Sequence, residues 1–223
     1  MKKNLEKLTD IWKNRQSFTF LLIILVIYMF VVIPMLDERI LGKLLFMAFY
    51  YLFLTSGMHF LDVKRKFPIY LIFIVAPLLV LVLQIVLDSA WLTLALDIFL
   101  IVYFFWLGSI LLMRTFSRGH ITANRVQGAV VVYLLTGFAF ALIYHSIYIM
   151  AGPNAFKGLI SFRRTEFMYF SLTTLTTLGY GDLTPVNVYA RSLTGLEALI
   201  GQLYPAILIA RLVSMELTNK QGT

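Results

Sequence analysis

The sequence predicts an all-α membrane protein of six transmembrane helices, with a shorter helix re-entering the bilayer between the fifth and sixth. Three observations predict it. Of 223 residues, 60% are hydrophobic and 13% charged, against about 45–50% and 25% in soluble domains. The apolar excess collects in six runs close to the roughly 20 residues that a helix needs to cross hydrocarbon. One connector, between the fifth and sixth runs, is far longer than the others and holds an apolar stretch too short to cross.

The six runs are Phe18–Met35, Ile40–Phe60, Phe67–Leu87, Trp91–Met113, Val126–Met150 and Tyr189–Leu212. The first follows a charged segment and lacks a small-residue cleavage site, so it reads as a retained span and not a signal peptide. The other connectors are short and polar, leaving no room for a soluble domain. With both termini cytoplasmic, thirteen of the 19 Lys and Arg residues fall on the inner side and six on the outer, as the positive-inside rule requires. The expected organisation is a cytoplasmic segment 1–17, a four-helix region 18–113, a cytoplasmic linker 114–125, a two-span module 126–212 and a cytoplasmic tail 213–223. Trp12, Tyr70, Trp91 and Tyr189 stand near span ends as interfacial anchors.

Composition excludes several classes. No cysteine is present, which removes disulfides, thiolate metal sites and cysteine nucleophiles. The net charge of +8 and pI near 9.7 come from basic residues between apolar runs, a pattern of topology and lipid-headgroup contact, with no nucleic-acid partner expected. There is no Walker-type loop and no metal-ligand cluster, and the histidines are three: His59, His120 and His145. An enzyme is not expected, nor a cofactor. Repeated halves with matching broken helices, the mark of many transporters, are not seen.

The long connector opens on Ala151-Gly152-Pro153-Asn154, a turn signal. The short semi-polar run Thr165–Thr176 follows, with Thr165 as its expected cap and Glu166 in its first turn. Non-helical backbone at membrane depth persists only where protein buries it or it lines a watery cavity. The run therefore reads as a helix dipping into the membrane, and the glycine-rich strip after it as a return along a pore. The C-terminus of such a helix carries about half a negative charge, favourable to a cation.

The strip reads Thr174-Leu175-Thr176-Thr177-Leu178-Gly179-Tyr180-Gly181-Asp182-Leu183-Thr184-Pro185 and resembles the signature of potassium channels, whose filter carbonyls replace the hydration shell of the ion. The likeness covers about Val126 to Leu212. It implies a selectivity filter at Thr177, Leu178, Gly179, Tyr180 and Gly181, with permeant K+ coordinated at Thr177, Leu178, Gly179 and Tyr180. Carbonyls on one axis require alternating backbone handedness, which Gly179 and Gly181 permit. Four copies close the ring, so one filter per chain implies a homotetramer. The resemblance further assigns filter support to Asp182, Thr173 and the aromatic pair Tyr169 and Phe170. It places a gate or cavity lining at Gly201, Gln202, Pro205 and Ile209, Gly201 serving either as a hinge or as a close helix contact. Two departures stand out: Leu178 replaces the usual valine or isoleucine, and Thr173 replaces a glutamate that some relatives direct at Asp182.

The expected function is passive, potassium-selective conduction in a plasma membrane of bacterial or archaeal type. Its alternatives are a poorly selective cation channel, because of Leu178, and a non-conducting membrane scaffold or regulatory subunit. The gating stimulus, an unidentified ligand or regulatory subunit included, is open. Steep voltage gating is not expected, because the fourth run contains no Lys or Arg and carries Asp97 instead. Two intramembrane acids need explanation. Asp97 is expected to pair within the first four spans. Glu197 is expected to brace the re-entrant helix, through Thr173, Thr174 or His145, or else to act as a proton-sensitive gate.

Overall fold

In hydrocarbon every backbone amide must find its partner within the chain, and long apolar runs accordingly fold as helices here. The computed structural model describes residues 19–33, 42, 44–45, 47–52, 63–87, 89–115, 123–160 and 163–221. Its helices are α1 (Thr19–Val32), ending in the π-helical turn Tyr28–Val32, α2 (47–52), α3 (Val63–Leu87), α4 (Ala90–Thr115), α5 (Ala123–Ala151), α6 (Arg164–Leu175) and α7 (Val188–Gln221). Between α5 and α6 a 3-10 turn, Pro153–Ala155, leads into β1 (Phe156–Lys157), which pairs antiparallel with β2 (Thr184–Pro185).

Among the described residues three helices are long and apolar enough to cross a membrane, at Ala90–Met113, Arg125–Ala151 and Val188–Arg211. They coincide with the fourth, fifth and sixth expected runs. The apolar stretches of α1 and α3 are shorter, Thr19–Val32 and Leu71–Gln84. The second expected run lies partly outside the described residues, as do Trp12, His59, His120, the segment 1–17, most of the linker 114–125 and the side chain of Tyr70. Helix α7 continues beyond Leu212 to Gln221, so the expected tail 213–223 begins as helix.

Helix α5 is the hub, packed against α4, α6 and α7. With lipid on the outside there is no hydrophobic drive between helices, so close packing must hold them. Aromatic rings supply much of it. Tyr28 stacks on Phe49 with ring centroids 3.5 Å apart, and Phe104 meets Phe138 edge-on at 4.9 Å. A second cluster, Phe140, Tyr144, Phe156, Phe167, Phe170 and Leu183, fills the space between α5, α6 and the β pair.

One polar contact follows from a proline. Pro77 has no amide hydrogen, so in α3 the carbonyl of Phe73, four residues back, loses its helical partner. Tyr50 replaces it, its hydroxyl donating to Phe73 O at 2.8 Å. Neighbouring Tyr51 donates to Ile74 O at 2.7 Å, a carbonyl whose helical partner is intact. Tyr50→Phe should therefore cost about 1–3 kcal/mol, the penalty for an unsatisfied buried group, and Tyr51→Phe distinctly less. Thermal melts of the two variants compare them directly, and equal losses would refute the proline argument.

Candidate functional site

The short helix α6 starts at Arg164, with Arg163 at its N-cap and no side-chain cap bond. The expected cap, Thr165, lies inside the helix; Glu166 does occupy the first turn. At the other end α6 terminates on the glycine strip. The Thr173 carbonyl accepts from the amides of both Leu178 (2.8 Å) and Gly179 (3.1 Å), and the Thr177 amide donates to Thr174 O at 2.9 Å. Two successive strip amides are thus tied to the helix end. Positive φ recurs at every second residue, with Thr177 at 58°, Gly179 at 52° and Gly181 at 80°. A β-branched residue in this region stores about 1–3 kcal/mol of strain, held here by the bonds to α6. Residues 176–182 are exposed in the single chain.

The strip is braced at its exit. Tyr169 donates to Asp182 Oδ2 at 2.7 Å, and its ring lies parallel to that of Tyr180. Phe170 points the other way, into the aromatic cluster, edge-on to Tyr144 at 4.9 Å. Thr173 does not reach Asp182 through its side chain; its hydroxyl donates to Phe170 O. On the far side the β pair brings Gly158 against the strip. Its φ is 90°, and a Cβ there would sit 1.8 Å from Asp182 O, so both conformation and space demand glycine. Asn187 caps α7, accepting from the amides of Tyr189 (2.9 Å) and Ala190 (3.3 Å).

The Tyr169 hydroxyl holds the Asp182 carboxyl below its ordinary range, helped by the Leu183 amide and opposed by desolvation. A depressed carboxyl contributes stability above its unfolded value, about pH 4, and loses it as pH falls through the lowered value. Tyr169→Phe should therefore shift the acid-side loss of the intact strip to higher pH. A pH titration of Tyr180 fluorescence in both proteins tests this, and an unmoved acid limb would count against it. The effect is modest, because the pair is exposed.

Glu197, on α7, is fully buried. Tyr144 of α5 donates to its Oε2 at 2.7 Å, and Ser171 of α6 bonds its Oε1. Ser171 also lies 2.6 Å from Gly137 O. The expected partners Thr173, Thr174 and His145 are not the ones found. Ser171 was legible in hindsight, four residues after Phe167 and three before Thr174, on the buried face of α6. Asp97 is also fully buried, and it pairs with residues beyond the first four runs: His145 Nδ1 at 2.5 Å and Arg164 Nη2 at 2.8 Å.

Gly201 packs on the end of α6. A Cβ at this position would lie 1.8 Å from Leu175 O and 2.7 Å from its carbonyl carbon. The same carbonyl accepts from Tyr133 at 3.0 Å. Gln202 and Ile209 are exposed and Pro205, inside the helix, is half-buried. Among the described residues no group of three or more His, Asp or Glu side chains is placed to hold a metal ion.

Residues 129–217 match the family model described as ion channel. Protein LctB of Bacillus caldotenax is 34% identical over 88 residues, 36% of this chain and 64% of that protein. The inward rectifier potassium channel Kirbac3.1 of Paramagnetospirillum magnetotacticum is 37% identical over 79 residues, 34% of this chain and 24% of that one. Protein LctB of Geobacillus stearothermophilus is 33% identical over 81 residues, 33% and 59% of the two chains. The chain spans less than two thirds of the length of each of these relatives. No solved structure matches. All three similarities cover less than half of this chain, and so does the family match, which spans α6, the glycine strip, most of α7 and the larger part of α5. Over residues 129–217 the chain is similar to the ion channel family, a family of channels and not of enzymes.

Proposed function

We propose that this chain is one subunit of a homotetrameric, potassium-selective channel that conducts passively through the backbone carbonyls of residues 177–181. The observation that carries the reading is the strip itself. Positive φ at Thr177, Gly179 and Gly181 alternates with ordinary backbone, while two strip amides are bound to the Thr173 carbonyl. Alternating handedness with the amides so occupied is what a line of ion-facing carbonyls requires. Likeness to an inward rectifier potassium channel supports the choice of ion. The strip and an open apolar groove lined by Met29, Phe30, Tyr133, Leu172 and Leu178 would be covered by neighbouring subunits around the axis.

In the full reading the chain has six spans, both termini cytoplasmic, in a plasma membrane. Gly201, Gln202, Pro205 and Ile209 belong to the inner-helix cavity and gate. The absence of basic residues from 91–113 supports gating without a charged sensor helix. Purified protein in liposomes under a potassium gradient tests the function. Barium-sensitive flux that prefers potassium over sodium supports it. Equal sodium flux favours a poorly selective pore, directing attention to Leu178, and no flux favours a non-conducting scaffold or regulatory subunit.

A further inference from the structure

We propose that Asp97, His145 and Arg164 form a charge latch by which α4 holds the start of the pore helix, and that this latch sets how often the filter conducts. The inference rests on the channel reading and adds a control point to it.

Helix α6 begins with an electrostatic conflict. A helix N-terminus carries about half a positive charge and favours acids, yet two arginines, Arg163 and Arg164, stand there without a side-chain cap. Glu166 offsets this from within the helix. Asp97 offsets it from another helix, its Oδ1 accepting from Arg164 Nη2 at 2.8 Å. The carboxylate is fully buried, and its second oxygen is used by His145 Nδ1 at 2.5 Å. Against an ionised Asp97, His145 donates from Nδ1. Its ring packs on Phe167, one turn along α6, with centroids 5.4 Å apart. One acid thus joins α4, α5 and the pore helix, 48 and 67 residues apart in the chain.

The latch reaches the filter because α6 is short. Twelve residues make a rod of about 18 Å, and the Thr173 carbonyl near its far end holds the amides of Leu178 and Gly179. Packed interiors move as units and do not absorb such displacements. A second acid is arranged in parallel: Glu197 is held by Tyr144 of α5 and Ser171 of α6. Adjacent α5 residues thus serve the two acids. Tyr144 works with the inner helix and fixes the middle of α6, while His145 works with α4 and fixes its start. Asp97, lying in the helix where a sensor would carry its basic charges, is the only one of the two acids that ties the first half of the chain to α6.

Single-channel recording of the full-length protein in planar bilayers tests the latch. Asp97→Asn leaves Arg164 charged at the positive end of α6 and should lower open probability about tenfold, with unitary conductance unchanged. Adding Arg164→Gln removes the charge that Asp97 faced and should restore open probability to within about threefold of wild type, the non-additivity expected of contacting groups. His145→Asn, which keeps a donor near the Nδ1 position, should open more often than His145→Ala. Additive losses without restoration would overturn the latch, as would a fall in unitary conductance at constant open probability. If Asp97→Asn does not fold, the His145 pair still decides, because indistinguishable open probabilities there also overturn it. A wild-type protein that carries no potassium current would instead defeat the channel reading on which the latch rests.

Discussion

Gly201→Ala should rank with Gly158→Ala among the most damaging single-methyl substitutions at the described residues. The added Cβ would lie 1.8 Å from Leu175 O, 2.7 Å from its carbonyl carbon and 3.0 Å from its Cα, all of them backbone atoms that cannot rotate away. Either α6 or α7 must move by more than 1 Å, and the bond from Tyr133 to the same carbonyl must stretch or break. Overpacking of this kind costs roughly 1–3 kcal/mol, occasionally more, and a backbone clash belongs at the upper end. The displaced residue ends α6 two residues before Thr177, so on the proposed channel function potassium flux should fall by at least about tenfold, about 1.4 kcal/mol of lost conducting population being enough for that. Gly108→Ala is the control. Nothing lies within 4 Å of a Cβ there, and in mid-helix alanine is favoured by about 1 kcal/mol. If Gly201→Ala melts and conducts like Gly108→Ala, the close contact is not structural and the hinge role of Gly201 regains its place.

The sequence made some of this legible and hid the rest for definable reasons. Run length alone located Trp91–Met113, Val126–Met150 and Tyr189–Leu212, because crossing hydrocarbon sets a length that few other structures require. The break at Gly152 could be read from its residue type, and its φ of 82° shows why glycine stands there. The strip was legible by resemblance, and the glycines at 179 and 181 by their backbone freedom. Thr177 was not, since nothing in a threonine announces a positive φ; the bonds from the end of α6 impose it. The partners of Asp97 were equally hidden. Sequence places it in the first half of the chain, and only the packing of α4 on α5 brings His145 and Arg164 to it. His145 was matched to Glu197 on depth alone. Adjacent residues on a helix point about 100° apart, and Tyr144 is the one that turns toward α7 while His145 turns toward α4. The cap of α6 was misplaced because Thr165 fits the usual preference, whereas the helix starts on an arginine whose charge another helix neutralises.

Glu197 offers the second large effect, and its two simplest substitutions should diverge. Ser171 Oγ lies within hydrogen-bond distance of both Gly137 O and Glu197 Oε1. A hydroxyl has one proton to donate, and the Gly137 carbonyl can only accept. With the Ser171 proton directed at Gly137, a protonated Glu197 donating to Ser171 Oγ completes the chain, and Tyr144 donates to the other carboxyl oxygen. Glutamine fits this arrangement atom for atom: its amide nitrogen donates to Ser171 and its oxygen accepts from Tyr144. Glu197→Gln should therefore fold and melt within about 1 kcal/mol of wild type. Alanine leaves the Tyr144 hydroxyl with Thr194 alone, strips Ser171 of a partner and opens a cavity between α5, α6 and α7. Each unsatisfied group costs about 1–3 kcal/mol and truncation adds its own term, about 24 cal/mol per Å³ of cavity that remains. Glu197→Ala should lose roughly 3 kcal/mol or more by these terms, seen as a large drop in melting temperature and loss of flux. A glutamine variant as unstable as the alanine one would mean that the carboxylate charge, not the hydrogen-bond chain, holds α7 against the pore helix. In the same experiment, flux that loses its pH dependence in the glutamine variant while stability holds would assign the proton-sensitive gate to this carboxyl. Retained pH dependence would leave Glu197 as the brace between Tyr144, Ser171 and the inner helix.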